Sequence, residues 1–244
     1  MKILGIDSSG LVASVAVVED RVLLGEYTTN YKKTHSQTLL PMLDELRKMI
    51  DLDLSTVDAI AIASGPGSFT GLRIGAATAK GLGLALNKPL VEVPTLEGLA
   101  YRLWGSSNLV CPIMDARRNQ VYTGVYEFPE AETGPEQEFE HVLRPVVAQE
   151  AMDIHDLLEK LGRLNRRVTF LGDGVAVYRD VIRKDCPVAF SFAPAHLNAQ
   201  SAGSIAALGA VYYSLGRTVT AAQHQPEYLR KSQAERERDE RNEA

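Results

Sequence analysis

Two cysteines in 244 residues, Cys111 and Cys186, are too few for a disulfide framework. A chain of this size buries most of its apolar surface without staples, and two thiols suit a reducing compartment. A basic surplus is missing as well. Lys plus Arg is 26 and Asp plus Glu is 31, a formal net charge of −5. A protein that grips nucleic acid alone normally carries the opposite balance. Long apolar runs are absent too. The opening run ends at Asp7, too early for a signal-peptide core. The stretch Ile74–Leu86 is interrupted by Lys80, so nothing approaches bilayer length. These absences lead to the expectation of a cytoplasmic protein that makes no membrane contact.

Several chemical signatures are also lacking. The histidines are His35, His141, His155, His196 and His224, and no two share a helical turn, so there is no paired-imidazole metal site. The string Gly65-Pro66-Gly67-Ser68-Phe69-Thr70-Gly71 is rich in glycine but matches no common fingerprint. A Walker loop needs Gly-Lys-Ser/Thr, and Gly71 is followed by Leu72. The nucleophile elbow and the dinucleotide pattern each need glycine where Thr70 stands. No nucleophile–base pair supports a peptidase.

What is present is a clear order of elements. Lys2–Asp7, Val12–Val18 and Arg21–Thr29 read as an antiparallel meander, with Glu19-Asp20 as a tight turn. A helix Ser36–Ile50 follows, with Leu39, Leu40, Leu43, Leu46, Met49 and Ile50 on one face. Then come a strand Asp58–Ala63, a helix Phe69–Leu86, a strand Leu90–Val93 and a helix Leu96–Trp104. A meander followed by two parallel βα units is the ribonuclease H-like arrangement. The second half repeats it loosely. Its strands are expected at Leu109–Asp115, Gln120–Phe128, Phe139–Pro145, Arg167–Leu171 and Val188–Phe190. Its helices are expected at Asp153–Leu164, Val175–Arg183 and Ala202–Leu215. Two copies give an α/β fold of the actin/Hsp70-like (ASKHA) type, with the second copy degenerate. The expected division is 1–105, 106–229 and a charged tail 230–244, in which ten of fifteen residues are charged and the signs balance.

Two constellations carry chemistry. Asp7-Ser8-Ser9-Gly10 caps the first hairpin, where actin-like ATPases approach phosphate. Turn formation alone also explains these residue types. Asp7 and Ser9, with Gly172 and Gly174 across the chain, form a nucleotide-site candidate. The turn into the helix at Phe69 suits an anion, or is a tight turn capped by Ser68. Within that helix Gly71, Gly75, Ala79 and Gly83 recur every four residues. Each helical glycine costs about 1 kcal/mol relative to alanine, so close approach by another element must offset it. That element is either a strand of the chain's own sheet or a partner's helix. After Asp115 the expected glycine is replaced by Arg117 and Arg118, so the second copy looks degenerate as a nucleotide site.

Together these segments resemble the TsaB family, also called YeaZ. The resemblance rests on Ile6-Asp7-Ser8-Ser9, on His35-Ser36-Gln37-Thr38-Leu39-Leu40-Pro41, and above all on Gly65 through Gly75 running into Ala79-Lys80-Gly81. Val93-Pro94-Thr95-Leu96-Glu97, Asp115-Ala116-Arg117 and Tyr228-Leu229-Arg230 add to it. It implies a noncatalytic scaffold or activator in making threonylcarbamoyladenosine in tRNA. The partners would be a TsaD-like paralogue that transfers the group and a TsaE-like ATPase. A homodimer would form when the chain is alone, and tRNA would be met through the complex. No catalytic or metal-binding residue is expected here. TsaD-like paralogues carry His-x-x-x-His where this chain has Thr95 and Leu99, neither of which replaces imidazole. ATP or ADP and a metal would belong to the partner complex. In this family the two N-terminal helices pack against a partner. That assigns Leu39, Leu40, Leu43, Leu46, Gly71, Gly75, Ala79 and Gly83 to the interface. The rival expectation is an autonomous actin-like ATPase or small-molecule kinase.

Negative charge is concentrated. Between Glu127 and Glu150 seven glutamates face one base, Arg144, so this segment carries −6 and the rest of the chain +1. Such a segment should repel tRNA.

Overall fold

The computed structural model describes residues 1–31, 34–129 and 143–230. The apolar segments pair into two five-stranded sheets. In the first, β1 (Lys2–Asp7), β2 (Ala13–Glu19) and β3 (Val22–Thr29) form the meander, and β4 (Ala59–Gly65) and β5 (Leu90–Pro94) add in parallel. The order is β3-β2-β1-β4-β5. In the second, β6 (Leu109–Asp115), β7 (Gln120–Glu127) and β8 (Arg144–Asp153) form the meander, with β9 (Val168–Leu171) and β10 (Phe190–Phe192) parallel to β6. The order β10-β9-β6-β7-β8 is the first sheet's order repeated. This is the actin-like, ASKHA-type α/β architecture.

Among the described residues six helices cover the sheets: α1 (His35–Met49), α2 (Phe69–Leu86), α3 (Thr95–Tyr101), α4 (Ile154–Leu164), α5 (Gly174–Asp185) and α6 (Ala202–Ser214). The leucine periodicity of α1 buries Leu39, Met42, Leu43 and Leu46 against Val15, Val17 and Leu4. Each such side chain contributes roughly 1.5–3 kcal/mol of hydrophobic stabilisation. Parallel pairing of β1 with β4 sets Ile6 beside Ile62, so the loops after both strands open on one edge. Pairing of β6 with β9 does the same for the loops after Asp115 and Leu171.

The structure departs from expectation in three places. The third strand of the second sheet is Arg144–Asp153, not Phe139–Pro145. Residues 139–142 lie outside the described residues. Pro145 reads as a strand end, but β8 is an edge strand paired with β7 alone, where a missing amide proton is tolerated. The last short strand lies two residues later than Val188–Phe190.

The third departure concerns the expected boundary at 229. Helix α6 packs on the first sheet, with Ile205, Ala206, Leu208 and Val211 against Ile3, Ala59, Ala61 and Val93. Eight of its residues are buried, so it is apolar on nearly every side and needs a sheet face. Gly5 makes this possible, since a Cβ there would sit 2.3 Å from the Ala202 carbonyl. Helix α3, at the end of the first half, reaches the other way. Its Leu96, Leu99 and Ala100 pack with Val110, Met114, Tyr126 and Leu171 of the second half. Each half is therefore completed by a helix from the other. Of the charged tail, Arg230 is described and 231–244 are not.

Candidate functional site: an inter-unit cleft and the outer face of α2

The two loop edges face each other across a cleft of about 540 Å³. One lip is the hairpin Ser9–Leu11 with the turn Gly67–Thr70. The other is Met114–Arg117 with Asp173.

On the first lip the hairpin and the head of α2 interlock. Ser68 N donates to Ser9 O at 2.6 Å, and Ser8 Oγ donates to Gly71 O at 2.9 Å. Ser68 Oγ accepts from Gly71 N at 3.3 Å, so the turn is closed by a serine cap. Glycine is demanded by proximity here. A Cβ on Gly67 would meet Ser9 O at 2.3 Å, and one on Gly71 would meet Ser8 O at 2.1 Å. His35 Nε2 donates to Gly10 O at 2.8 Å, fixing the hairpin to the start of α1.

Asp7 is buried beneath this lip and accepts from the Ser9 amide and hydroxyl at 2.9 and 2.7 Å. Burial pushes its carboxyl up to about 6, against the lowering effect of the Ser9 bonds. Ser9 lines the cleft and Asp7 does not. Gly172 and Gly174 do not line it either. They serve close packing on β6, where a Cβ would meet the Ile113 carbonyl at 2.2 and 2.9 Å. Of the four nucleotide-site candidates, Ser9 alone lines this cleft. Asp173, between the two glycines, does face the cleft, and burial raises its pKa. On the same lip Arg117, Arg118 and Asn119 are all left-handed, with φ of 64°, 57° and 60°. Asp115 Oδ1 steadies that turn by accepting from Arg117 N at 2.9 Å.

The small-residue stripe of α2 lies inside the chain's own fold, which corrects the interface assignment. Gly71, Gly75, Ala79 and Gly83 are buried. A Cβ on Gly75 would meet Ser8 Oγ at 2.4 Å, and Gly83 abuts Leu90 and the Lys88 carbonyl. Leu39, Leu43 and Leu46 are likewise buried in the first core. Of the eight assigned residues Leu40 alone is exposed, at 53%. The opposite face of α2 is the open one. Arg73, Ala77, Gly81, Leu84 and Ala85 are exposed there, and Leu84 reaches 71%. Nothing lies within 4 Å of a Cβ built on Gly81.

The sequence reading also missed a structural role for the segment after α6. Tyr228, Leu229 and Arg230 line the cleft. The Tyr228 ring packs on Phe69 in a tilted arrangement, with ring centres 4.8 Å apart. Tyr228-Leu229-Arg230 stood out in the sequence only through resemblance, with no pattern to say what it touches.

The residues at the paralogue's histidine positions do not fit a metal. Thr95 is buried and its hydroxyl accepts from Gly65 N at 3.2 Å, while Leu99 is buried and carries no donor atom. Among the described residues no three His, Cys, Asp or Glu side chains gather as a metal site would require. No described helix is long and apolar enough to cross a membrane.

Comparison with known proteins agrees with this architecture. A family model described as TsaD, tRNA N6-adenosine threonylcarbamoyltransferase, matches residues 22–238. The tRNA threonylcarbamoyladenosine biosynthesis protein TsaB of Bacillus subtilis (strain 168) is 35% identical over 182 residues, 75% of each chain. The protein of that name from Escherichia coli (strain K12) is 34% identical over 154 residues, 62% of this chain and 66% of that one. YeaZ from Pseudomonas aeruginosa superposes with a TM-score of 0.74 at 26% identity, covering 93% of this chain and 99% of that one. An inorganic polyphosphate/ATP-glucomannokinase from Arthrobacter sp. strain KM gives 0.51 at 12% identity, a likeness of fold alone.

Proposed function

The chain belongs to the TsaB (YeaZ) family, and from that premise we propose that it is the noncatalytic subunit that activates a TsaD-like paralogue. Its part in tRNA threonylcarbamoyladenosine biosynthesis follows from the family. The finer reading gives group transfer to the paralogue, with a TsaE-like ATPase joining the pair. Nucleotide and metal are ascribed to those partners, and tRNA is met through the complex. The same face serves a homodimer when the paralogue is absent.

One observation carries this reading. The outer face of α2 is open and small along Ala77, Gly81 and Ala85, with Leu84 standing out from it. A flat strip of small residues lets a second helix approach closely, and an exposed apolar patch on a folded protein marks an interaction surface. Leu40 of α1 is exposed as well. The autonomous ATPase or kinase reading has less support. Gly172 and Gly174 are committed to packing on Ile113, and the head of α2 is capped by Ser68 and held by the hairpin.

Reconstitution tests the proposal. A TsaD-like and a TsaE-like protein are assayed for tRNA modification with threonylcarbamoyl-adenylate as donor and ATP, with and without this chain. Modification is expected only when the chain is present. Gly81→Arg, whose Cβ has no described atom within 4 Å, is expected to abolish both co-purification with the paralogue and the stimulation. Full modification without the chain refutes the subunit role. An active Gly81→Arg protein refutes the interface.

A further inference from the structure

Beyond the partner face, the residues after α6 form a device of their own. The segment starts from a fixed point. His224 is 1% exposed and its Nδ1 pairs with Glu92 Oε1 of β5 at 2.7 Å. Gln225 N also donates to Glu92 Oε1, at 3.4 Å. Two residues on, Glu227 N donates to Ser64 O at the end of β4 at 2.7 Å. Gly65 has no side chain because the Glu227 carbonyl lies 2.2 Å from where its Cβ would be. Tyr228 then packs on Phe69, and its hydroxyl accepts from Arg73 Nε at 3.4 Å. All of these contacts are with the first unit.

The same six residues also hold the second unit. Gln149 Nε2 of β8 donates to Glu227 Oε2 at 2.8 Å. Arg230 donates from its guanidinium to Ala116 O at 2.6 Å, on the far lip of the cleft. The chain itself crosses between the units at 102–108 and 193–201. Those two passages are tied together where Arg102 Nε donates to Leu197 O at 3.1 Å. A strap anchored in one unit and fastened to the other by two hydrogen bonds near the surface differs from either passage. It can let go without breaking the chain or emptying a core.

We propose that residues 225–230 are a releasable clasp that sets the aperture of the inter-unit cleft. Fastened, it holds the Ser9–Leu11 and Met114–Arg117 lips at the present separation. Released at Arg230 and Glu227, it leaves the lips to open by rotation about the apolar α3 seam and the passages at 102–108 and 193–201, as at a hinge.

Hydrogen exchange on the full chain tests this with Gln149→Ala/Arg230→Ala, which removes both fastenings, and with Arg230→Ala alone. Arg230→Ala removes the fastening to Ala116 and leaves the first-unit anchors in place. Loss of one or two hydrogen bonds of ordinary strength is expected to speed exchange at both lips, residues 9–11 and 114–119, by about tenfold. Amides within β1, β4 and β6 should keep their rates. Unchanged lip rates in both variants would overturn the clasp. So would a uniform rise across the chain in both, since the strap would then stabilise the fold without governing the cleft.

Discussion

Asp7 illustrates how one residue type carries two meanings that sequence cannot separate. An aspartate at a hairpin tip fits a phosphate site and a turn equally well. Here it is buried and bonded within its own hairpin. Its pKa is raised from 3.8 to about 6, with desolvation as the leading cause. The folded state therefore binds the proton more tightly than the unfolded chain does. Below the unfolded value the carboxyl is neutral in both states and costs nothing. As pH rises from about 4 through about 6 the folded state loses stability by this group, and above that the loss is constant. A tenfold difference in proton affinity is worth about 1.4 kcal/mol, so the penalty at pH 7 is about 3 kcal/mol. Asn at this position still accepts from Ser9 but carries no charge. Asp7→Asn is expected to melt near the parent's temperature at pH 4 and several degrees above it at pH 7. Thermal melts across that range check it, and a variant that melts lower at pH 7 contradicts the desolvation account.

At the scale of elements, periodicity located α2 and its stripe of small residues, but not which neighbour the stripe faced. A glycine every four residues means close approach by something, and a strand or a partner helix leaves the same pattern. The answer lay in the loop after β1. Ser8 sits over Gly71 and Gly75, and no local pattern announces a contact between residues so far apart in the chain. The first meander and its two parallel strands were legible because each strand is bounded by turn residues and opposed by an amphipathic helix. The third strand of the second sheet was obscured by Pro145, which an edge position accepts. The destination of α6 was obscured because a helix that is apolar all round looks alike on any sheet. The two faces of α2 now predict opposite outcomes. Gly75→Leu places a branched side chain where Ser8 Oγ and Ile62 already lie, at 2.4 and 3.2 Å from its Cβ. Overpacking of this kind typically costs about 1–3 kcal/mol and sometimes more. The denaturation midpoint of the lone chain should fall accordingly, whereas Gly81→Arg should leave it in place. Equal midpoints for the two variants would return the stripe to the surface.

At the scale of the whole molecule the net charge of −5 has an uneven origin. Structure removes two glutamates from the segment that carries it. Glu127 is buried, and its carboxylate holds both Arg144 and Arg166; these hydrogen bonds, that to Arg166 foremost, lower its pKa. Glu150 pairs with Lys160. Each is neutralised locally and contributes little to a long-range field. The other five, Glu130, Glu132, Glu136, Glu138 and Glu140, belong to residues 130–142, outside the described residues. They supply the same charge as the whole chain, so replacing them with glutamine brings the formal net charge to zero. If this segment keeps the lone protein off RNA, the substitution of all five should strengthen its binding to tRNA at low salt. The gain should fade as salt rises past the point where the Debye length is about 10 Å, near 0.1 M. Filter binding of tRNA at two salt concentrations gives the comparison. A quintuple variant that binds no better at low salt would mean that avoidance of tRNA is set by the shape and neutrality of the remaining surface.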